Sequence, residues 1–221
     1  MRTTKFDFDP DATDDNGIFT VKAVSGSGAL TLDGALVTGT VATMDYARRL
    51  DQITAGNDAG ITFTYVGTDA DGNALTEVLA GGAATPSTET TTGYFKTVTS
   101  ITASGAAAGN VTIGTTDEFT SATIPIDSRS DTPCTIALYF TGTIDITVQE
   151  GFDSIKRDDL QSINWFDIDG ASEDGGLTDL TAITANAIGA SHVGATAVKF
   201  VVNSFTDTAE VQMYLSQPLN G

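Results

Sequence analysis

The chain has 221 residues, 10 Lys and Arg against 29 Asp and Glu, and a formal net charge of -19, with one Cys, one His and one Trp. One Cys excludes an internal disulfide and a Cys-rich zinc site, and one His gives His-based metal clusters and Ser-His-Asp chemistry little to work with. The sign of the charge argues against DNA or RNA as a partner, since affinity for phosphates comes from Lys and Arg, while a hydrophobic content of 40% suffices for a core and sets the chain apart from acidic disordered tails.

The start, Met1-Arg2-Thr3-Thr4-Lys5-Phe6-Asp7, turns acidic at once and lacks the apolar stretch of a signal peptide. No apolar run anywhere reaches the roughly 18 residues of a membrane span. The expectation is a soluble protein made in a cytoplasm, with no membrane partner. Residues 1–17 carry Asp7, Asp9, Asp11, Asp14 and Asp15 around Pro10 and read as an N-terminal arm, held by a neighbour or packed within the chain. Within it Arg2, Lys5, Phe6 and Phe8 are the candidate partner-binding residues. The aspartates themselves are a lesser candidate for holding a cation.

Residues 18–118 read as an N-terminal β-module. Asp33-Gly34, Asn57-Asp58, Asp71-Gly72-Asn73 and Gly109-Asn110 punctuate short apolar runs, and these residue types accept the backbone of tight turns. Arg48-Arg49, within Met44–Leu50, is the tight basic pair of this half. It either reaches an acidic partner surface or guards an exposed strand edge. Ile61–Val66 alternates, with Ile61, Phe63 and Tyr65 on one face, and Val98–Ala103 and Val111–Ile113 repeat the pattern. Thr68–Glu77 offers Asp69, Asp71 and Asn73 as candidate Ca²⁺ ligands. An EF-hand loop needs its Gly at position six, whereas Gly72 falls at position four from Asp69, so a hairpin turning at Asp71-Gly72 is the stronger reading. Gly26-Ser27-Gly28 and Gly81-Gly82 lack the strand and helix that frame a phosphate loop.

Residues 119–221 read as a C-terminal β-sandwich, denser in aromatic residues. Cys134 reads as a small thiol buried in a strand. Ile144–Val148 and Val211–Leu215 alternate as strands. Phe152–Leu160 suggests one short helical turn with Lys156 and Arg157 exposed, and Leu177–Ala187 is helix or loop. Phe166–Gly176 is an oxygen-rich loop with a secondary Ca²⁺ reading. His192 has no motif around it and reads as a loop or surface histidine. No carboxylate pair stands out for glycoside cleavage. Roughly twelve to fifteen strands at spacings of about 8–12 residues predict an all-β fold of antiparallel β-sandwich or jelly-roll-like modules with little helix.

Two sets of segments carry a resemblance. Gly67–Glu77 (GTDADGNALTE), Tyr94–Gly105 (YFKTVTSITASG) and Gly109–Thr115 (GNVTIGT) form the first. Ile144–Asp153, Trp165-Phe166 and Ala197–Phe205 form the second. Both resemble virion structural proteins of tailed bacteriophages, most of all capsid decoration (cement) proteins. The resemblance implies a non-enzymatic protein without catalytic residues, cofactor or metal. It would bind the major capsid protein on the outer surface of the shell, stabilise the head, and self-associate as a homotrimer or homodimer. A strongly acidic chain belongs outside a shell of packaged DNA rather than within it. A tail, neck or fibre component is the alternative. A further one is a carbohydrate-binding sandwich with Trp165, Phe166, Tyr139 and Tyr94 as a platform, although such rings more often fill a core.

Overall fold

The structure, a computed structural model, describes residues 2–127, 133–153, 163–168 and 179–217. Among these residues every regular element is a β-strand, and the strands pair antiparallel. The all-β expectation therefore stands. The chain divides into two compact units, Ala12–Phe119 and the combination of Met1–Asp11 with Thr120–Gly221.

In the unit Ala12–Phe119 the sheet order is β10 (Asn110–Thr120), β5 (Val41–Thr54), β9 (Phe95–Ala103), β6 (Thr62–Thr68) and β7 (Ala74–Ala80). Short strands flank it: β2 (Phe19–Ala23) pairs β10, β3 (Gly28–Ala29) pairs β9, and β4 (Val37–Thr38) and β8 (Ser87–Thr90) pair β5. The period of two explains the packing. Phe63 and Tyr65 point inward to join Met44, Leu50, Phe95, Val98, Ile101, Val111 and Ile113, while Thr62, Thr64 and Val66 point away. Ile61 packs partly buried against the same core. At Gly67 the β6 and β9 backbones come so close that a Cβ would overlap Thr97 O, and the register shifts there.

The other unit holds a four-stranded sheet ordered β1 (Arg2–Phe8), β17 (Glu210–Gln217), β12 (Thr135–Thr141) and β15 (Ala187–Ala190). Its companion layer is β14 (Trp165–Asp167), β13 (Ile144–Gly151) and β16 (Ala197–Phe205), with β11 (Ile124–Pro125) on β16. Ile136, Leu138, Val211, Met213 and Leu215 face inward from the first layer. Ile144, Ile146, Val148, Val198, Phe200 and Val202 do so from the second. Phe8 reaches across, its ring edge-on to Phe200 at 4.2 Å between centroids. These are the two faced layers of a sandwich.

One expectation changes, one falls outside the described residues, and one open alternative resolves to loop. Residues 1–17 do not form one arm: Arg2–Phe8 is β1, in continuous register with β17 from Arg2↔Gln217 to Phe8↔Val211. The reason is alternation, since Phe6 and Phe8 turn toward the core while Thr3, Lys5 and Asp7 stay exposed. Further along, Asp14 closes a turn by accepting the Asn16 and Gly17 amides. Of the helical candidate Phe152–Leu160 only Phe152 and Asp153 lie within the described residues, so Lys156 and Arg157 fall outside. Residues 179–187 are not helical; Ile183 bridges Ile146, and Ala187 opens β15.

Candidate functional site

The outward face of the four-stranded sheet gathers large apolar side chains. Cross-strand register aligns Lys5, Tyr214, Ala137 and Ile188 in one row. Tyr139, two residues along β12, stands nearly perpendicular to Tyr214, with ring centroids 5.6 Å apart. Tyr139 is 47% exposed and Ile188 59%. Lys5 Nζ lies 5.9 Å from the centre of the Tyr214 ring and 2.6 Å from Asp7 Oδ1. The hydrogen bond to Asp7 raises the Lys5 pKa, so its charge is held. Open rings beside a polar rim suit the surface of another protein better than a small molecule, which a concave pocket would enclose.

Beside the β1 edge the two layers leave a groove of about 420 Å³ lined in part by Arg2, Phe6, Phe8, Ile124, Pro125 and Leu215. Among the described residues no carboxylate lines it. Arg2 is exposed at its rim, Phe6 is half-buried, and Phe8 is buried. Of the candidate partner residues, then, Arg2, Lys5 and Phe6 are reachable, and Phe8 serves the core.

Arg48 and Arg49 are not a surface patch. Arg48 is 1% exposed and grips Asp45 through two hydrogen bonds of 2.7 Å, with a third to Thr116 O. Arg49 donates to Thr91 O and pairs with Glu118 Oε2 at 2.7 Å. Both guanidiniums are engaged within their own unit: Arg48 points inward, where its charge must have a partner, while Arg49 is only half-buried.

At the candidate Ca²⁺ loop, the Asp69 carboxylate accepts the amide hydrogens of Asp71 and Asn73 and the Asn73 side-chain amide. Gly72 adopts φ +83°, and Thr68 pairs Ala74, so the segment is the β6–β7 hairpin turn. Among the described residues no three His, Cys, Asp or Glu side chains cluster around a common metal position. The oxygen-rich loop is described only through Ile168; Asp169–Gly176 lie outside the described residues.

The aromatic candidates do not build a flat platform. Lys199 Nζ covers one Trp165 face at 4.5 Å, Phe166 stands at 61° to Phe152, and Tyr139 is edge-on to Tyr214. Tyr94 belongs to the unit Ala12–Phe119.

One pairing had no motif to announce it. Glu150 is buried and accepts the His192 backbone amide at 2.8 Å and bonds to His192 Nδ1. The adjacent Ser191 Oγ accepts the Cys134 amide at 3.1 Å. A signal existed in the strand period: Glu150 continues the inward series Ile144, Ile146, Val148, and a carboxylate on that series needs a hydrogen-bond donor. Burial pushes the Cys134 thiol up to about 11, which makes it a poor nucleophile at neutral pH. No family model matches the chain, and neither does any curated protein.

Proposed function

We propose that this chain is a non-enzymatic structural protein of a tailed-phage particle. It decorates the outer surface of the head, where it seats the exposed face of its four-stranded sheet on the major capsid protein and stabilises the shell. The observation that carries the reading is the open Tyr139–Tyr214–Ile188 patch. Contiguous apolar surface rimmed by polar groups marks a protein contact, and Tyr is a frequent anchor there. The sequence segments that resemble phage structural proteins supply the kind of partner. A stable contact buries about 1,200–2,000 Å² in total, and many copies on one shell make modest contacts collectively strong. The net charge of -19 favours the outside of a DNA-filled shell.

Co-sedimentation with emptied heads of the phage that encodes the chain tests this. The wild type pellets with the shells, while Tyr139→Ala/Ile188→Asp, folded by circular dichroism, binds at least tenfold more weakly. Equal binding by that variant overturns the assigned face. A copy number of a few per particle, rather than hundreds, overturns the head position in favour of a tail or neck one.

A further inference from the structure

We infer that β1 is the contact of a two-fold homodimer, in which the strand pairs antiparallel with β1 of a second copy, the dyad falling on Phe6. This goes beyond the head-coat reading and holds whatever surface the protein binds.

β1 ends the order β1-β17-β12-β15, and its ladder with β17 runs from Arg2 to Phe8 without a register shift. The strand has no Pro and no bulge, whereas β15 at the opposite edge spans only Ala187–Ala190. A long, straight edge with apolar side chains is a template for another strand unless something protects it. Phe6 is only half-buried, and among the described residues no carboxylate lines the groove on its side. Two chains of charge -19 repel each other over most approaches. Screening confines that repulsion to about 8 Å at physiological salt, so the meeting surface must be locally free of excess acid. β1 is so: Arg2 and Lys5 against Asp7 leave it at +1.

The charge order then selects one register. In an antiparallel ladder, residues of like orientation face each other, so a two-fold axis between identical strands falls on a residue. On Lys5 it would set Lys5 against Lys5, which is repulsive. On Thr4 it would set Lys5 against Thr3 and bring no opposite charges together, over as many pairs of β1 residues as a dyad on Phe6 keeps. On Phe6 it sets each Lys5 opposite Asp7 of the second copy, twice over, and brings the two Phe6 rings together beside the grooves. The Lys5–Asp7 contact already made within one strand, both side chains exposed, widens into a four-membered alternating cluster. Because side chains opposite each other lie on the same side of a sheet, the dyad runs perpendicular to it. Both Tyr139–Tyr214–Ile188 patches therefore face one way, a bivalent surface.

Sedimentation equilibrium of the full chain tests the dimer separately from capsid binding. The wild type gives twice the 22.8 kDa chain mass. Asp7→Lys alone and Lys5→Asp alone, each folded by circular dichroism, dissociate at least tenfold more readily, because each sets like charges across the dyad. An equimolar mixture of the two variants recovers the dimer, and so does the double exchange Lys5→Asp/Asp7→Lys. A wild type that stays at 22.8 kDa up to about 100 µM, roughly the weak end of specific association, overturns the inference. So does a dimer indifferent to either single variant, or a mixture that fails to recover.

Discussion

Arg48 is the sharpest test of how the Ala12–Phe119 unit is held. Its guanidinium makes a parallel pair of hydrogen bonds to the Asp45 carboxylate at 2.7 Å and donates to Thr116 O. Arg48 is 1% exposed and Asp45 14%. Truncating Arg48 to Ala removes its donors from that carboxylate and from Thr116 O in a nearly dry place. Removing one member of a buried pair costs about 3–5 kcal/mol. Asp45 retains a narrow path to water, which puts the expected loss near the lower end, about 3 kcal/mol. For a chain of this size that lowers Tm by about 6–12 °C. Arg49→Ala is the control. Arg49 and Glu118 are 26% and 30% exposed, so their pair is screened, and the loss should stay near about 1 kcal/mol. Urea unfolding followed by far-ultraviolet circular dichroism reads both. The double variant Arg48→Ala/Asp45→Ala should lose less than the sum of the single ones, because it no longer strands a charge. If Arg48→Ala unfolds within about 1 kcal/mol of the wild type, the buried-pair account fails.

Cys134 should resist a disulfide reagent at about pH 8 in the folded protein and react at once in urea, since a thiol moved from 9.0 to about 11 has about a hundredfold less thiolate; rapid native labelling contradicts its burial. The unfolded chain gives up this proton first, so the contribution of Cys134 to stability declines as pH climbs from about 9 to about 11. Gly67→Ala should cost about 3 kcal/mol, because its Cβ meets the Thr97 carbonyl and two backbones must part. Gly72→Ala has open space but φ +83°, and should cost only about 1–2 kcal/mol; the reverse order would refute the assigned close approach. Asp69→Ala should lower stability by about 1–2 kcal/mol through the lost turn, and millimolar Ca²⁺ should move the wild-type Tm by less than about 1 °C. A rise of several degrees would return the loop to the metal reading. Glu77 accepts the Thr92 and Gly93 amides at 2.7 and 2.8 Å, so Glu77→Ala should cost about 1–2 kcal/mol, against about 0.5 or less for Glu210→Ala on an exposed strand end.

The strands were legible where alternation is strong. Phe63 and Tyr65 in β6, Ile144, Ile146 and Val148 in β13, and Val211, Met213 and Leu215 in β17 are buried as period two requires. β1 was hidden because Asp7, Asp9 and Asp11 give its neighbourhood the composition of a tail, and its pairing partner lies at the far end of the chain. The Arg48-Arg49 pair misleads for a different reason. Adjacent basic residues suggest a patch, but successive strand residues face opposite sides. Arg48 shares its parity with Met44, Leu50 and Gln52, all buried, so the period itself places Arg48 inside. Glu150 obeys the same logic. Neither the Tyr139–Tyr214–Ile188 patch nor the Phe6 groove can be read from sequence, since both depend on cross-strand register that only the folded sheet defines.

The acidity of the chain has a second explanation that needs no partner. An all-β protein has many turns, and each turn leaves amide hydrogens outside the ladders. Here carboxylates take them: Asp33 accepts from Thr20, Asp58 from Ala108, Asp69 from Asp71 and Asn73, Glu77 from Thr92 and Gly93, Asp153 from Asn164, and Asp179 from Thr181. The Lys22 hydrogen bond holds the Asp33 carboxyl below its ordinary 3.8. Its contribution to the turn is therefore in place above that value and fades as pH falls through the lowered one. At least six of the 29 acids thus serve backbone amides. Net charge alone then says little about where the protein works, and the weight of the functional reading shifts to the two features turn formation does not require: exposed Tyr139 and Ile188 beside half-buried Tyr214 on one sheet face, and an edge strand whose charges complement their own mirror order.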